Sequence, residues 1–325
     1  MNFAYITDDN YVVYCGISIL SLLYNNKDID SIIIYILSND ISDENKDKLT
    51  SLVEAYGREI VFIEIAKFYE KINFDYSTAG FNSIVLARLF MAEYIPQKVN
   101  KIVYLDCDVI VNGDVSELDE YNLEGKYIAA VPELYMPVDK KLSLGLGKDE
   151  TYYNAGILVI NLELWRIHSL HNKFMNFYKE KKGQLPYNDQ DIINYCCKGH
   201  ILALSQKYNM NPNLPYFPRW FMVRLQPGYK TTTVEEYRDM IANPCIVHYL
   251  GDERPWINGN HNYYRSLYEK YKALSPWASV PSIKGKELYL LFYHWLNLLT
   301  RVCPWGRVAF STYIGINIYK WMKKQ

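Results

Sequence analysis

The sequence predicts an α/β protein, a sheet covered by helices. Two observations carry that expectation. Over the first 130 residues, short β-branched or aromatic runs alternate with longer segments of helical period, the order expected of a parallel sheet with crossover helices. Hydrophobic residues also make up 50% of the 325, against 22% charged, enough to bury a substantial core.

The elements follow in order. Residues 2–6, 31–37, 59–63, 101–105 and 127–131 read as strands, and 11–24, 42–56 and 83–94 as the helices between them. The last helix has Asn82 or Ser83 available as a cap and is stopped by Pro96. The second half is less regular. A strand over 156–162 leads into an amphipathic segment through about Lys182, a short helix follows over 189–197, and a strand over 201–205. A loop rich in Pro, Asn and aromatics (209–219) precedes a further strand at 246–249. One boundary is expected near 275–286, where Pro276, Pro281 and Gly285 punctuate the chain, separating a domain of residues 1–275 from a tail of 276–325.

Charge and cysteine usage exclude several classes. A net charge of -1 lacks the basic footprint of a nucleic-acid binder, so no nucleic-acid partner is expected. The six cysteines show no C-x-x-C pair and no zinc spacing, as in a reduced chain. The first residues lack a secretory signal, which leads to a cytoplasmic expectation. The charge is uneven, however: Lys284, Lys286, Arg301, Arg307, Lys320, Lys323 and Lys324 face only Glu287 in the tail.

Four segments could carry chemistry. In KIVYLDCDVIV (101–111), Asp106 and Asp108 lie at i and i+2 at the end of an apolar strand, where extended chain would point both at one cation. Ligand sites of open α/β sheets lie at that carboxyl edge. Two other D-x-D triplets fit less well: Asp28 and Asp30 fall in a turn, and Asp189 and Asp191 open a helix, where i and i+2 diverge. The second segment is TDDN (7–10), after the first strand, whose short polar side chains can bond a base or ribose; Asp9 or Asn10 equally suits the role of helix cap. Third, Asn154-Ala155-Gly156 heads a strand, where small residues admit a ligand or simply a tight turn. Fourth, in IVHYLGDERPW (246–256), His248 suits a third metal ligand and Gly251 and Arg254 suit phosphate oxygens; a lone strand histidine equally suits the core.

Taken together, TDDNY, the helix around Arg88, YLDCDVIV, YYNAGILVINL, NDQD (188–191) and HYLGDERPW occur in the order and spacing of the retaining glycosyltransferases of family 8. The resemblance covers roughly residues 1–275 and is nearest to the bacterial lipopolysaccharide galactosyl- and glucosyltransferase branch. It implies a GT-A fold, that is, a Rossmann-like nucleotide-binding mixed sheet flanked by helices, here followed by a helical basic-aromatic tail. It also implies a UDP-sugar donor and a divalent metal, usually Mn2+ with Mg2+ as the alternative. Position by position, Asp106, Asp108 and His248 resemble the metal ligands. Thr7, Asp8, Asn10 and Cys107 resemble the UDP pocket, Gly251 and Arg254 the diphosphate contacts, and Arg88, Asn154, Asp189 and Gln190 the donor-sugar and reaction-centre residues. The family commonly has Lys where this chain has Arg254, and the segment before Arg88 lacks a His that some relatives use, so acceptor identity does not transfer.

What the resemblance implies is a hexosyltransferase using UDP-galactose or UDP-glucose on a glycan or glycolipid acceptor. The alternative from another class is a nucleotide-sugar or carbohydrate-binding protein without turnover. A nucleotidyltransferase would call for a Gly-rich phosphate loop near the N-terminus, which TDDNYVVY is not. In the tail, Leu288, Leu291, Phe292, Trp295, Leu298 and Leu299 share a helical face, with Trp305 and Trp321 following among basic residues. An apolar run of about 12 residues is too short to span a bilayer. The pattern instead predicts a helix lying on an anionic membrane, at its cytoplasmic face, with packing onto the domain or a dimer partner as the alternative.

Overall fold

A computed structural model describes residues 1–65, 67–78 and 82–311. Nine strands occur among them: β1 (Asn2–Asp8), β2 (Ile33–Asn39), β3 (Glu59–Glu64), β4 (Lys101–Leu105), β5 (Val109–Val111), β6 (Ile128–Pro132), β7 (Tyr153–Asn161), β8 (Ile201–Ala203) and β9 (Ile246–His248). Seven form one sheet in the order β3-β2-β1-β4-β7-β6-β8, and β5 pairs with β9 in a separate two-stranded sheet. The first four are parallel, β7 runs antiparallel to both β4 and β6, and β8 is parallel to β6.

Alternation along the central strands explains the layering. Ala4, Ile6, Tyr104, Ile128, Ala130, Leu158 and Ile160 face one buried layer, while Phe3, Tyr5, Val103, Leu105, Ala129, Ile157 and Val159 face the other. Period-2 alternation therefore buries both faces, which is why these strands read as unbroken apolar runs. The helices Val12–Asn25 and Asp43–Glu54 cover one face. Segments from 84–95 and 162–197 cover the other.

Two sequence expectations are corrected here. Residues 83–94 are not one α-helix: Ser83–Phe90 winds as a 3-10 helix, with the Asn82 side chain accepting from the Ile84 amide, and only Met91–Tyr94 is α-helical. The cause lies in the buried Arg88, whose guanidinium is drawn to the sheet edge by Asp106, Asp189 and the Ala155 carbonyl; tertiary pairing overrides local propensity. Nor does Asp9 or Asn10 cap the first helix. Asp8 Oδ1 takes the Tyr11 amide at 3.0 Å, while Asp9 Oδ1 reaches across to the Ser42 amide (2.9 Å) and Asn45 Nδ2 (2.9 Å), buttressing the second helix.

The amphipathic segment after β7 divides into Leu162–Ile167 and Leu170–Glu180, with Ser169 at positive φ between them. At the expected boundary Trp277 is buried, its ring against Gly16, where a Cβ would stand 2.1 Å from the indole. The tail continues as helices Glu287–Thr300 and Pro304–Ala309. Lys320, Trp321, Lys323 and Lys324 lie outside the described residues.

Candidate active site

The carboxyl ends of β1 and β4 open on the same side, and because β7 is antiparallel to β4 its first residues arrive there as well: Leu105 pairs with Ile157, and the Asp106 amide donates to the Gly156 carbonyl at 2.8 Å. The chain then turns through Asp106-Cys107-Asp108 into β5, where Val109 pairs with His248 of β9. The two aspartates thus converge by a turn between two strands, not by continuing one extended strand. His248, 140 residues away in sequence, is delivered by the second sheet.

One ligand atom each from Asp106, Asp108 and His248 lie within 4.8 Å of one another. His248 Nε2 is 3.2 Å from Asp108 Oδ1 and 3.6 Å from Asp106 Oδ2. Two carboxylates and an imidazole can together hold a divalent cation. Gly156 makes room for them, since a Cβ there would stand 2.1 Å from His248 Cε1 and 2.9 Å from Asp106 Oδ2; this close approach, rather than a special backbone angle, requires glycine. Burial would raise the Asp108 carboxyl, but His248 and Arg254 outweigh it and hold the group below its usual range, ionised and ready to ligate.

A relay of amides orients the histidine. Glu133 Oε2 accepts from Asn154 Nδ2 (2.9 Å), Asn154 Oδ1 accepts from Asn209 Nδ2 (2.8 Å), and Asn209 Oδ1 lies 3.0 Å from His248 Nδ1. With Glu133 at its accepting end, donation runs one way along the chain, so Nδ1 donates to Asn209 and Nε2 is the nitrogen turned to the aspartates, holding toward Asp108 a proton that a cation would displace. If the three residues hold a divalent cation, Asn209→Leu should therefore weaken its binding about 10- to 100-fold. Calorimetric titration of the metal would check this, and wild-type affinity would reject the relay.

The reaction-centre candidates adjoin this site. Arg88 is buried and ion-paired on both sides, 2.9 Å from Asp106 Oδ1 and 2.9 Å from Asp189 Oδ2, with its guanidinium over the Tyr104 ring. Burial would discourage its charge, but Asp106 and Asp189 more than offset this. Asp189 is pushed up to about 6 by burial, with Arg88 opposing and Asp106 adding to the rise. Gln190 Oε1 accepts from the Ala155 amide at 2.9 Å and its Nε2 lies 3.4 Å from both Glu133 Oε2 and the Tyr152 hydroxyl. Asp191 turns away to Tyr152 and the Tyr187 amide, so the two acids of that helix diverge as their spacing requires.

The other predicted residues are placed as follows. Asp8 Oδ2 accepts from Asn82 Nδ2, and Thr7 is buried with its hydroxyl on the Asp8 carbonyl. Asn10 is exposed at the rim. The Cys107 thiol points into the core toward the Ile6 carbonyl, 3.3 Å away, leaving its main chain for a ligand. Gly251, at φ 55, begins the turn that carries Arg254, whose Nε is 3.8 Å from Asp108 Oδ2 and is buried without a hydrogen bond. An orphaned guanidinium N–H beside the Asp106, Asp108 and His248 cluster suits an anionic oxygen. Glu133 and Asn209 were missed in the sequence. Glu133 follows β6 as TDDN follows β1, so the strand-end rule could have found it; Asn209 sits in an irregular loop with no such signal.

An α/β sheet with two aspartates at its carboxyl edge, faced by a histidine from a small second sheet, matches the GT-A fold of sugar transferases. Comparison with known proteins agrees. The family described as glycosyl transferase family 8 matches residues 2–259, and the chain belongs to that family. It is 27% identical to the lipopolysaccharide 1,2-glucosyltransferase of Escherichia coli (strain K12) over 93% of this chain and 89% of that one. It is 26% identical to general stress protein A of Bacillus subtilis (strain 168) over 84% of this chain and 93% of that one. Among solved structures, the galactosyltransferase LgtC with donor and acceptor sugar analogues superposes with a TM-score of 0.71 at 24% identity, covering 85% of this chain and 96% of that one, and so shares the fold.

Proposed function

We propose that the protein transfers galactose or glucose from a UDP-sugar to a glycan or glycolipid acceptor with retention at the anomeric carbon. The observation that carries this reading is the convergence of Asp106, Asp108 and His248 beside Arg254, whose buried Nε–H lacks a hydrogen-bond partner, with the Arg88–Asp189 pair adjoining. A divalent cation held by those three ligands, manganese by preference, would supply charge for the departing diphosphate.

This chain's own residues do the rest. Arg254 meets the diphosphate oxygens, a role its charge suits although its planar fork is not the point donor of a lysine. Thr7, Asp8 and Asn10 line the nucleoside, with Cys107 contributing main chain. Asn154 and Gln190 border the sugar. As the C1–O bond to phosphate breaks, the anomeric carbon gains positive character that the Asp189 carboxylate and the amide oxygens nearby favour. Gln190 is a poor nucleophile and its Oε1 already accepts from the Ala155 amide, so attack comes from the face the phosphate leaves, and the acceptor hydroxyl proton passes to the departing phosphate oxygen. Release of UDP from a panel of UDP-hexoses, with manganese and with chelator, tests the reading. Metal-dependent release from UDP-galactose or UDP-glucose supports it; tight UDP binding with no release from any donor, even with envelope glycolipids present, identifies a binding protein instead.

The acceptor side is consistent with a membrane. No helix among the described residues is long and apolar enough to cross a bilayer. The helix Glu287–Thr300 nevertheless exposes Leu288 (85%), Leu291, Phe292, Trp295, Leu298 and Leu299, followed by Val302 (86%) and Trp305, with Lys284, Lys286 and Arg301 alongside. An apolar face flanked by cations fits an anionic lipid surface, which supports a peripheral position at the inner face of the cell membrane. Replacing Leu291 and Trp295 together by glutamate should weaken sedimentation with phosphatidylglycerol vesicles at least about tenfold; unchanged sedimentation would discard the membrane contact.

A further inference from the structure

The opposite face of the same tail helix buries Leu290 and carries polar side chains that grip the turn bearing Arg254. Tyr289 donates to Asp252 Oδ2 at 2.8 Å, Asn297 Nδ2 donates to Glu253 Oε1 at 3.2 Å, and His294 Nε2 accepts from the His261 amide at 2.9 Å. Glu287 Oε1 accepts from Asn258 Nδ2 at 3.0 Å. Behind the turn, Asn260 Nδ2 holds the Asp252 and Arg254 carbonyls and Asn262 Nδ2 the Glu253 carbonyl.

Glu253 is the unusual member. It is only 1% exposed; Asn297 donates to Oε1 and the Tyr293 hydroxyl also interacts with the carboxyl, yet Oε2 is buried without a well-aligned hydrogen bond. Burial pushes its carboxyl up to about 7, against the opposing pull of Tyr293, Asn297 and Arg307. A buried carboxyl with an unfilled acceptor is a poor way to gain stability, and an apolar side chain would fill the space more favourably. A directional link between helix and turn accounts for it. Arg307 strengthens that link from outside by donating to Asn297 Oδ1 (3.3 Å), which leaves the Asn297 N–H groups for Glu253.

We infer that the helix Glu287–Thr300 is the support that sets the 251–254 turn for the donor diphosphate, with Glu253 and Asn297 as positioning residues acting through Arg254. The inference rests on the donor reading above. Neither residue touches the cation site, whose last ligand, His248, is fixed by β9 before the turn begins.

The test uses the full chain, UDP with saturating manganese, and titration calorimetry well below the melting temperature. Glu253→Ala and Asn297→Ala should each weaken UDP binding about tenfold, the loss expected of one hydrogen bond to a buried acidic group. Glu253→Gln, which keeps the acceptor oxygen, should stay within about threefold of wild type. Manganese affinity measured without UDP should be unchanged in all three. If Glu253→Ala does not fold, Asn297→Ala carries the same comparison. Variants that melt earlier but bind UDP as wild type does would show a merely structural contact and overturn the inference, as would a matching loss of manganese affinity. Failure of the wild type itself to bind UDP would instead remove the donor reading, and the inference with it.

Discussion

Asp108→Asn should lower UDP-hexose turnover about a thousandfold, the upper range for removing one preorganised charge-stabilising group, and should weaken manganese and UDP binding together. The substitution keeps the volume and one oxygen of a side chain that is largely enclosed, so the fold should tolerate it. What it removes is the charge. Asp108 sits between His248 Nε2 at 3.2 Å and Arg254 Nε at 3.8 Å, and both keep its carboxyl low despite burial. With an amide in its place, one of the two negative charges that would offset a cation is gone, while on the proposed reading the leaving diphosphate would still need that cation. Hydrolysis assays and metal titrations on the same preparation decide the matter. Retention of a tenth or more of wild-type turnover, at unchanged metal affinity, would remove Asp108 from the ligand set.

Much of this architecture was legible because burial writes itself into sequence. Strands β1, β2 and β4 carry apolar residues on both faces, so each appears as a short run bounded by polar residues, and D-x-D at the end of such a run marks the sheet's carboxyl edge. Legibility fails where long-range pairing decides. The pairing of Val109 with His248 brings a second sheet to the site, and nothing local to 109–111 or 246–248 announces the partner. Extended geometry was accordingly the wrong reason for a right convergence: Asp106 and Asp108 meet across a turn. Residues 83–90 carry a helical apolar period and still wind as 3-10, because Arg88 answers to Asp106 and Asp189 rather than to its own neighbours. Asn209 was invisible for the same reason, since its value lies in standing between Asn154 and His248.

Asp189→Asn should separate chemistry from binding where Asp108→Asn does not. Asp189 lies on the far side of Arg88 from Asp106, with its Oδ2 2.9 Å from Arg88 Nε. Burial makes its charge costly, raising the carboxyl to about 6 despite Arg88, so its ionised form, paired with Arg88, is poorly solvated. Such a charge is stabilised by positive character developing nearby, and the anomeric carbon develops it only as the C1–O bond breaks. On the proposed reading the ground-state complex gains little from it, because Arg254 and the cation ligands would hold the diphosphate on the other side of the site. Replacing the carboxylate by an isosteric amide should therefore reduce kcat about 100- to 1000-fold while the dissociation constant for UDP stays within about threefold. Arg88 retains Asp106 and the Ala155 carbonyl, so the guanidinium stays paired and the cation ligands keep their setting. Single-turnover rates beside calorimetric UDP affinities supply the two numbers, and equal losses in both would mean that Asp189 holds the site together through Arg88 instead of acting on the breaking bond.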